Sequence, residues 1–117
     1  MAAPSAPDVA VVVLSTVPDE ATAERIAGAL VEERLAACVN RVPGVGSVFR
    51  WQGAIERADE VLLVIKTHAR RAPHVTQRLQ ELHPYEVPEI LVIPVAAGLG
   101  AYLEWIRRET QPEGEEA

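Results

Sequence analysis

The run VAVVVLST at residues 9 to 16, followed at once by Val17-Pro18-Asp19-Glu20, decides how the rest of the chain is read. An almost unbroken apolar and β-branched run of this length is the pattern of a central strand covered on at least one face. Pro18 fixes φ, and Asp19 and Glu20 put negative charge where the positive end of a helix dipole would lie, so a helix starts here. Ala23, Ile26, Ala27 and Leu30 recur at helical spacing, with Glu24, Arg25, Glu32 and Glu33 largely elsewhere. That predicts an amphipathic helix to about Leu35.

Working outward, Ala36 to Val42 and Ser47 to Gly53 are two short strand-like runs around Pro43-Gly44-Val45-Gly46, whose glycines permit the positive φ of a reversal. A bent or hairpin strand is expected there. Ile55 to Asp59 is charged and turn-like, and Glu60 to Thr67 returns to a continuous apolar strand. Pro73 opens a second helix over about Ala72 to Leu82, with Val75, Leu79 and Leu82 on one stripe, and Pro84 stops it. Ile90 to Val95 reads as the last core strand, and Leu99 to Arg108 as a short closing helix. The order strand, helix, strand, strand, helix, strand is that of an α+β, ferredoxin-like βαββαβ sandwich with a short C-terminal helix. Both main helices would cover one sheet face. The other face, rich in Val, Leu and Ile, would need a partner, and a closed symmetric oligomer is the simplest one.

Composition narrows the function classes. With 117 residues one domain is expected, at 9–108, between loose tails at 1–8 and 109–117, the second of them acidic. Seventeen acidic against eleven basic side chains give a formal charge of −6, which disfavours nucleic acid and anionic lipid as partners. No run approaches the length of a membrane span, and the opening residues lack the charged and apolar regions of a secretory signal. A single cysteine, Cys38, allows no disulfide within the chain. A reducing, cytoplasmic setting suits these features. Walker A, Rossmann, nucleophile-elbow, HExxH and CxxC patterns are all missing; that alone does not exclude an enzyme, but the expectation is a binding or regulatory module.

Four segments carry a resemblance that periodicity alone does not give: ALVEERLAACVNRVPG (29–44), SVFRWQGAIE (47–56), LLVIKT (62–67) and HPYEVPEI (83–90). In order and spacing they resemble the CutA family. The resemblance covers about Val9 to Ile106 and implies a ferredoxin-like subunit in a tight homotrimer, associated with tolerance of divalent cations, notably copper, and structurally similar to PII-type signalling trimers. Ser15 stands where some members carry a cysteine and Phe49 where some carry a tyrosine. The first difference removes a soft ligand for copper.

The candidate metal ligands are His83, Glu89 and Cys38, a borderline nitrogen, a carboxylate and a thiolate that together suit Cu(II) or another divalent metal. Each has a plainer reading. His83 closes the second helix and can cap its last carbonyls. Cys38 can be a small buried hydrophobe, becoming a cluster only when a threefold axis gathers several copies. Structural ion pairing explains Glu89 equally well. An alternative function is a PII-like sensor of a small anionic metabolite or nucleotide, using an intersubunit pocket of Lys66, Glu56, Trp51 and Tyr85. Lys66, the only lysine, is also read as a snorkelling side chain or as paired with Glu56 or Glu89. Trp51 suits interface packing. His68 and His74 are read as solvated surface.

Overall fold

Along the first strand, β1 (Ala10–Val17), every second side chain is buried: Val11, Val13, Ser15 and Val17. A pleated strand sends alternate residues to opposite faces, so these four point at one layer, and that layer is helical. The computed structural model describes residues 8–112. After β1 come α1 (Glu20–Glu32), β2 (Cys38–Trp51), β3 (Ala54–His68), α2 (Ala72–Leu82), β4 (Leu91–Pro94) and α3 (Gly100–Glu109). Asp19 caps α1 by accepting the Thr22 N–H at 2.8 Å, which satisfies one of the free donors of the first turn. The α1 stripe of Ala23, Ile26 and Leu30 and the α2 stripe of Ala72, Val75 and Leu79 pack on Val11, Val13 and Val17 of β1 and on Val61, Leu63 and Ile65 of β3.

The sheet order is β2-β3-β1-β4, with every neighbouring pair antiparallel. This is the α+β, split βαβ architecture expected from the order of elements. The long middle segment differs from expectation. β2 is one strand of 14 residues that runs straight through Pro43 to Gly46. Pro43 is tolerated because β2 is an edge strand, and the register shift between Val42 and Val45, with Gly44 at φ +72, absorbs it as a bulge. The reversal falls instead at Gln52-Gly53, both at positive φ (+50 and +82), and the charged stretch Ile55 to Asp59 belongs to β3. Positive φ at both central residues is the two-residue hairpin turn whose twist matches that of the strands. Gly53→Ala should therefore cost about 1 kcal/mol through backbone strain alone, since an added Cβ meets nothing within 4 Å. Thermal melting of the two proteins side by side checks this.

At the closing end α3 reaches Glu109, and Thr110 and Gln111 are buried, so the ordered chain passes the expected boundary at Arg108. Residues 1–7 and 113–117, which hold most of the expected tails, lie outside the described residues. On the second sheet face Val12, Leu14, Leu62, Val64 and Lys66 are half-buried beneath α3, which is anchored by Ile106. A ten-residue helix, roughly 15 Å long, cannot span a sheet that carries strands of 14 and 15 residues. Large apolar side chains stay exposed on the hairpin arm (Val48, Phe49, Trp51, Ile55) and on the edge strand β4 (Leu91, Val92, Ile93).

Candidate functional site

The polar side chains that sequence reasoning singled out fall at three stations along the long hairpin. The central station is built on the end of α2. His83 caps the helix through its backbone N–H, which donates to Leu79 O at 2.8 Å. Its ring is buried, and both nitrogens are engaged: Nδ1 accepts the Tyr85 N–H at 3.1 Å, and Nε2 lies 2.8 Å from Thr16 O at the end of β1. An acceptor at Nδ1 fixes the tautomer, so Nε2 carries the proton and donates to the carbonyl. Tyr85 stacks at a tilt on the imidazole, with ring centroids 4.8 Å apart, and its hydroxyl donates to Glu60 Oε2 at 2.8 Å. Glu60 is only 8% exposed. Desolvation, then the hydrogen bond to the Glu60 carboxylate, then the charges of Glu60 and Asp19 push the Tyr85 phenol up to about 12. The Asp19 carboxyl is held below its usual range, chiefly by the Thr22 backbone N–H.

The second station lies at the other end of the core sheet. Lys66 of β3 sits opposite Cys38 of β2 on one side and Val12 of β1 on the other, and Val12 in turn faces Ile93 of β4. Tyr102 of α3 covers Lys66, its ring centroid 5.8 Å from Nζ. Cys38 is half-buried, its Sγ 3.9 Å from Asn40 Oδ1. The third station is the hairpin tip, where Trp51 pairs with Ala54 and Glu56 with Phe49, all four exposed. Ten residues of strand separate Glu56 from Lys66, roughly 30 Å. Lys66 is therefore paired neither with Glu56 nor, among the described residues, with Glu89; its neighbour is the Tyr102 ring. Glu89 is exposed in the loop before β4.

A borderline metal needs donors converging at about 2.0–2.3 Å. Among the described residues no three His, Cys, Asp or Glu side chains are placed to do this. His83 has no free nitrogen, and Cys38 lies in a row four residues along β1 from Thr16, roughly 13 Å away. The set His83, Glu89 and Cys38 is not brought together as a metal site within one chain. The pocket group Lys66, Glu56, Trp51 and Tyr85 is likewise spread over all three stations.

His68 was read as solvated and is buried. Its Nε2 lies 2.8 Å from Asp8 Oδ1, and its Nδ1 accepts from the Arg70 N–H and Nε–H at 3.2 and 3.1 Å. His74 is exposed as expected. The residue missed altogether is Glu60. In sequence it is one more acid beside Asp59, and only the arrival of Tyr85, 25 residues later, distinguishes it.

Fold and stations together define a split βαβ domain with an apolar surface left open and dispersed polar groups, a construction suited to association. The comparisons give the family. The model of the CutA1 divalent ion tolerance proteins matches residues 11–109. A divalent-cation tolerance protein CutA of Thermus thermophilus is 54% identical over 85% of this chain and 96% of its own length. A human protein CutA is 46% identical over 82% of this chain but only 54% of that longer protein. The solved structure of CutA from Xylella fastidiosa superposes with a TM-score of 0.85 at 46% identity, covering 87% of this chain and 98% of that one. The chain belongs to the CutA1 divalent ion tolerance family.

Proposed function

We propose that the chain works in the cytoplasm as a homotrimeric binding or regulatory module, without catalysis of its own, which binds or responds to divalent metal ions, notably copper. The observation that carries this reading is the apolar surface of the hairpin arm and β4, which nothing in the described chain covers. Burying it against further copies recovers roughly 25 cal/mol for each Å² removed from water, and a closed ring also pairs the open strand edges. Family membership supports the divalent-cation part. Since the donors of one chain do not converge, metal contact draws on groups from more than one copy, with Glu89 and Cys38 as the named candidates. No helix of the described residues is long and apolar enough to cross a membrane. One structural relative is named as periplasmic, and two curated relatives as chloroplastic.

Two measurements test the proposal. Sedimentation at micromolar concentration should give the mass of three subunits; a single-subunit mass overturns the assembly. Calorimetric titration of Cu(II) into chelator-stripped protein, with Mg(II) as the hard-ion control, should show saturable sub-micromolar binding of fixed stoichiometry for copper alone. Weak binding without fixed stoichiometry removes direct copper contact from the reading.

A further inference from the structure

β3 loses its β1 neighbour at Val61, which pairs with Val17, the last residue of β1. Beyond that point only β2 runs beside it, so residues 45–59 form a two-stranded ribbon, which twists and bends more readily than a full sheet. The register shift between Val42 and Val45, with Gly44 at φ +72, falls opposite Val61 and bends the edge strand at the same level. The end of β1, the bulge and the glycine together make a hinge at the root of the hairpin arm. Residues 45–59 stay largely exposed, none belongs to the core cluster, and among the described residues none of them enters an ion pair.

A polar tie sits at this hinge. Glu60, next to Val61 on the arm side and opposite Val45, accepts the Tyr85 hydroxyl at 2.8 Å and is buried. Tyr85 is itself held from behind. Its N–H donates to His83 Nδ1, its ring leans on the imidazole, and His83 both caps α2 and reaches Thr16 O near the end of β1. A continuous chain of contacts therefore runs from the end of α2 to the arm root, and Tyr85 meets β3 where β1 no longer does.

We infer that the Tyr85–Glu60 hydrogen bond is a latch that sets the angle at which the hairpin arm leaves the sheet, so that Val48, Phe49, Trp51 and Ile55 are presented to a second copy in one orientation. The far end of β3, Ala54, lies six residues from Glu60, roughly 20 Å along the strand. Over that lever about 10° of play at the root moves the tip by about 3.5 Å, too much for close-packed contacts to tolerate. Fixing the arm beforehand removes an ordering cost that association would otherwise bear. Tyr85 and Glu60 are positioning residues in this device. The latch stands on the geometry of one chain, whereas its effect on association rests on the proposed trimer.

Dipolar spectroscopy on the full-length chain tests it. In a Cys38→Ser background, spin labels go on Ala54→Cys of the arm and Gln77→Cys of α2, both exposed. Labelled chains are refolded with an excess of unlabelled ones, so that only distances within one subunit are read. The variants are Tyr85→Phe, Glu60→Gln and the double change Tyr85→Phe with Glu60→Leu. The double change removes both polar partners, leaves no buried group orphaned and keeps the subunit close to its natural stability, so it parts the latch from the fold. The natural arm should give one narrow distance peak, and Glu60→Gln should keep it, because the amide oxygen still accepts from the phenol. Tyr85→Phe and the double variant should widen the peak by about the 3.5 Å that such play produces. Sedimentation on dilution should show their assembly weakened about tenfold for each arm. If the double variant does not fold, Tyr85→Phe alone carries the comparison. A peak that stays narrow without the hydrogen bond overturns the latch, and so does a widened peak with unchanged assembly. A natural chain that sediments as single subunits, with the peak widening as expected, sinks the assembly and supports the latch.

Discussion

His83→Ala is expected to lower the free energy of unfolding by about 3 kcal/mol and to leave the Cu(II) affinity of the folded protein unchanged. Several losses add up. The Thr16 carbonyl loses its Nε2–H donor, the Tyr85 N–H loses its acceptor, and a buried ring that stacks on Tyr85 disappears. Each hydrogen bond contributes about 1 kcal/mol net, and an orphaned partner costs a further fraction of its desolvation. The ring joins the end of β1 to the segment after α2, so the change loosens two elements at once. Urea unfolding at fixed subunit concentration reads the stability, since oligomerisation makes midpoints concentration-dependent. Calorimetry on the folded variant reads the metal. Lost copper binding with unchanged stability would reverse both halves of the expectation and return His83 to the ligand set.

The same histidine shows where sequence reading stops. Its place at the end of α2 was legible, because Pro73 and Pro84 bracket an eleven-residue amphipathic stripe and the helix runs Ala72–Leu82 as expected. The ring's partner, Thr16 O, is a backbone atom 67 residues away. No local pattern encodes such a contact. The core strands were legible for the same physical reason: a strand buried on one face and half-covered on the other must be apolar along its length. The hairpin arm was misjudged because its side chains stay largely exposed and none belongs to the core cluster. Val45 to Trp51 and Ala54 to Asp59 mix small, apolar and charged side chains without strict alternation, since no buried face enforces a pattern, and the turn residues Gln52-Gly53 are weaker signals than the glycines of the bulge. Ser15 is a subtler case. Its side chain is buried on the helix-facing side of β1, and its Oγ finds no hydrogen-bond partner among the described residues. A residue in that position packs against the core, so a cysteine there would act as a small hydrophobe.

Tyr85→Phe is expected to cost about 2 kcal/mol near neutral pH and to flatten the alkaline limb of the stability profile. The first effect comes from Glu60, whose carboxylate is 8% exposed and would keep its burial while losing the phenolic donor at 2.8 Å. The second follows from proton linkage. The Tyr85 phenol stands at about 12 in the folded chain against 10.0 for the ordinary group. Between these values the folded state holds the proton and the unfolded state releases it. Stability due to Tyr85 is therefore fully present below pH 10 and is lost as pH rises toward 12. Every other group is common to both proteins, so the difference between the natural chain and Tyr85→Phe isolates this one group. That difference should shrink across the window when unfolding midpoints are measured in pH steps. A difference that stays constant would mean that the hydroxyl does not hold its proton against Glu60, and only the His83 contact with Thr16 would tie the segment after α2 to the sheet. Glu60→Gln separates the causes: the amide still accepts from the phenol but carries no charge, so the alkaline loss should be smaller and end nearer pH 10, while desolvation, the largest cause, keeps part of the shift.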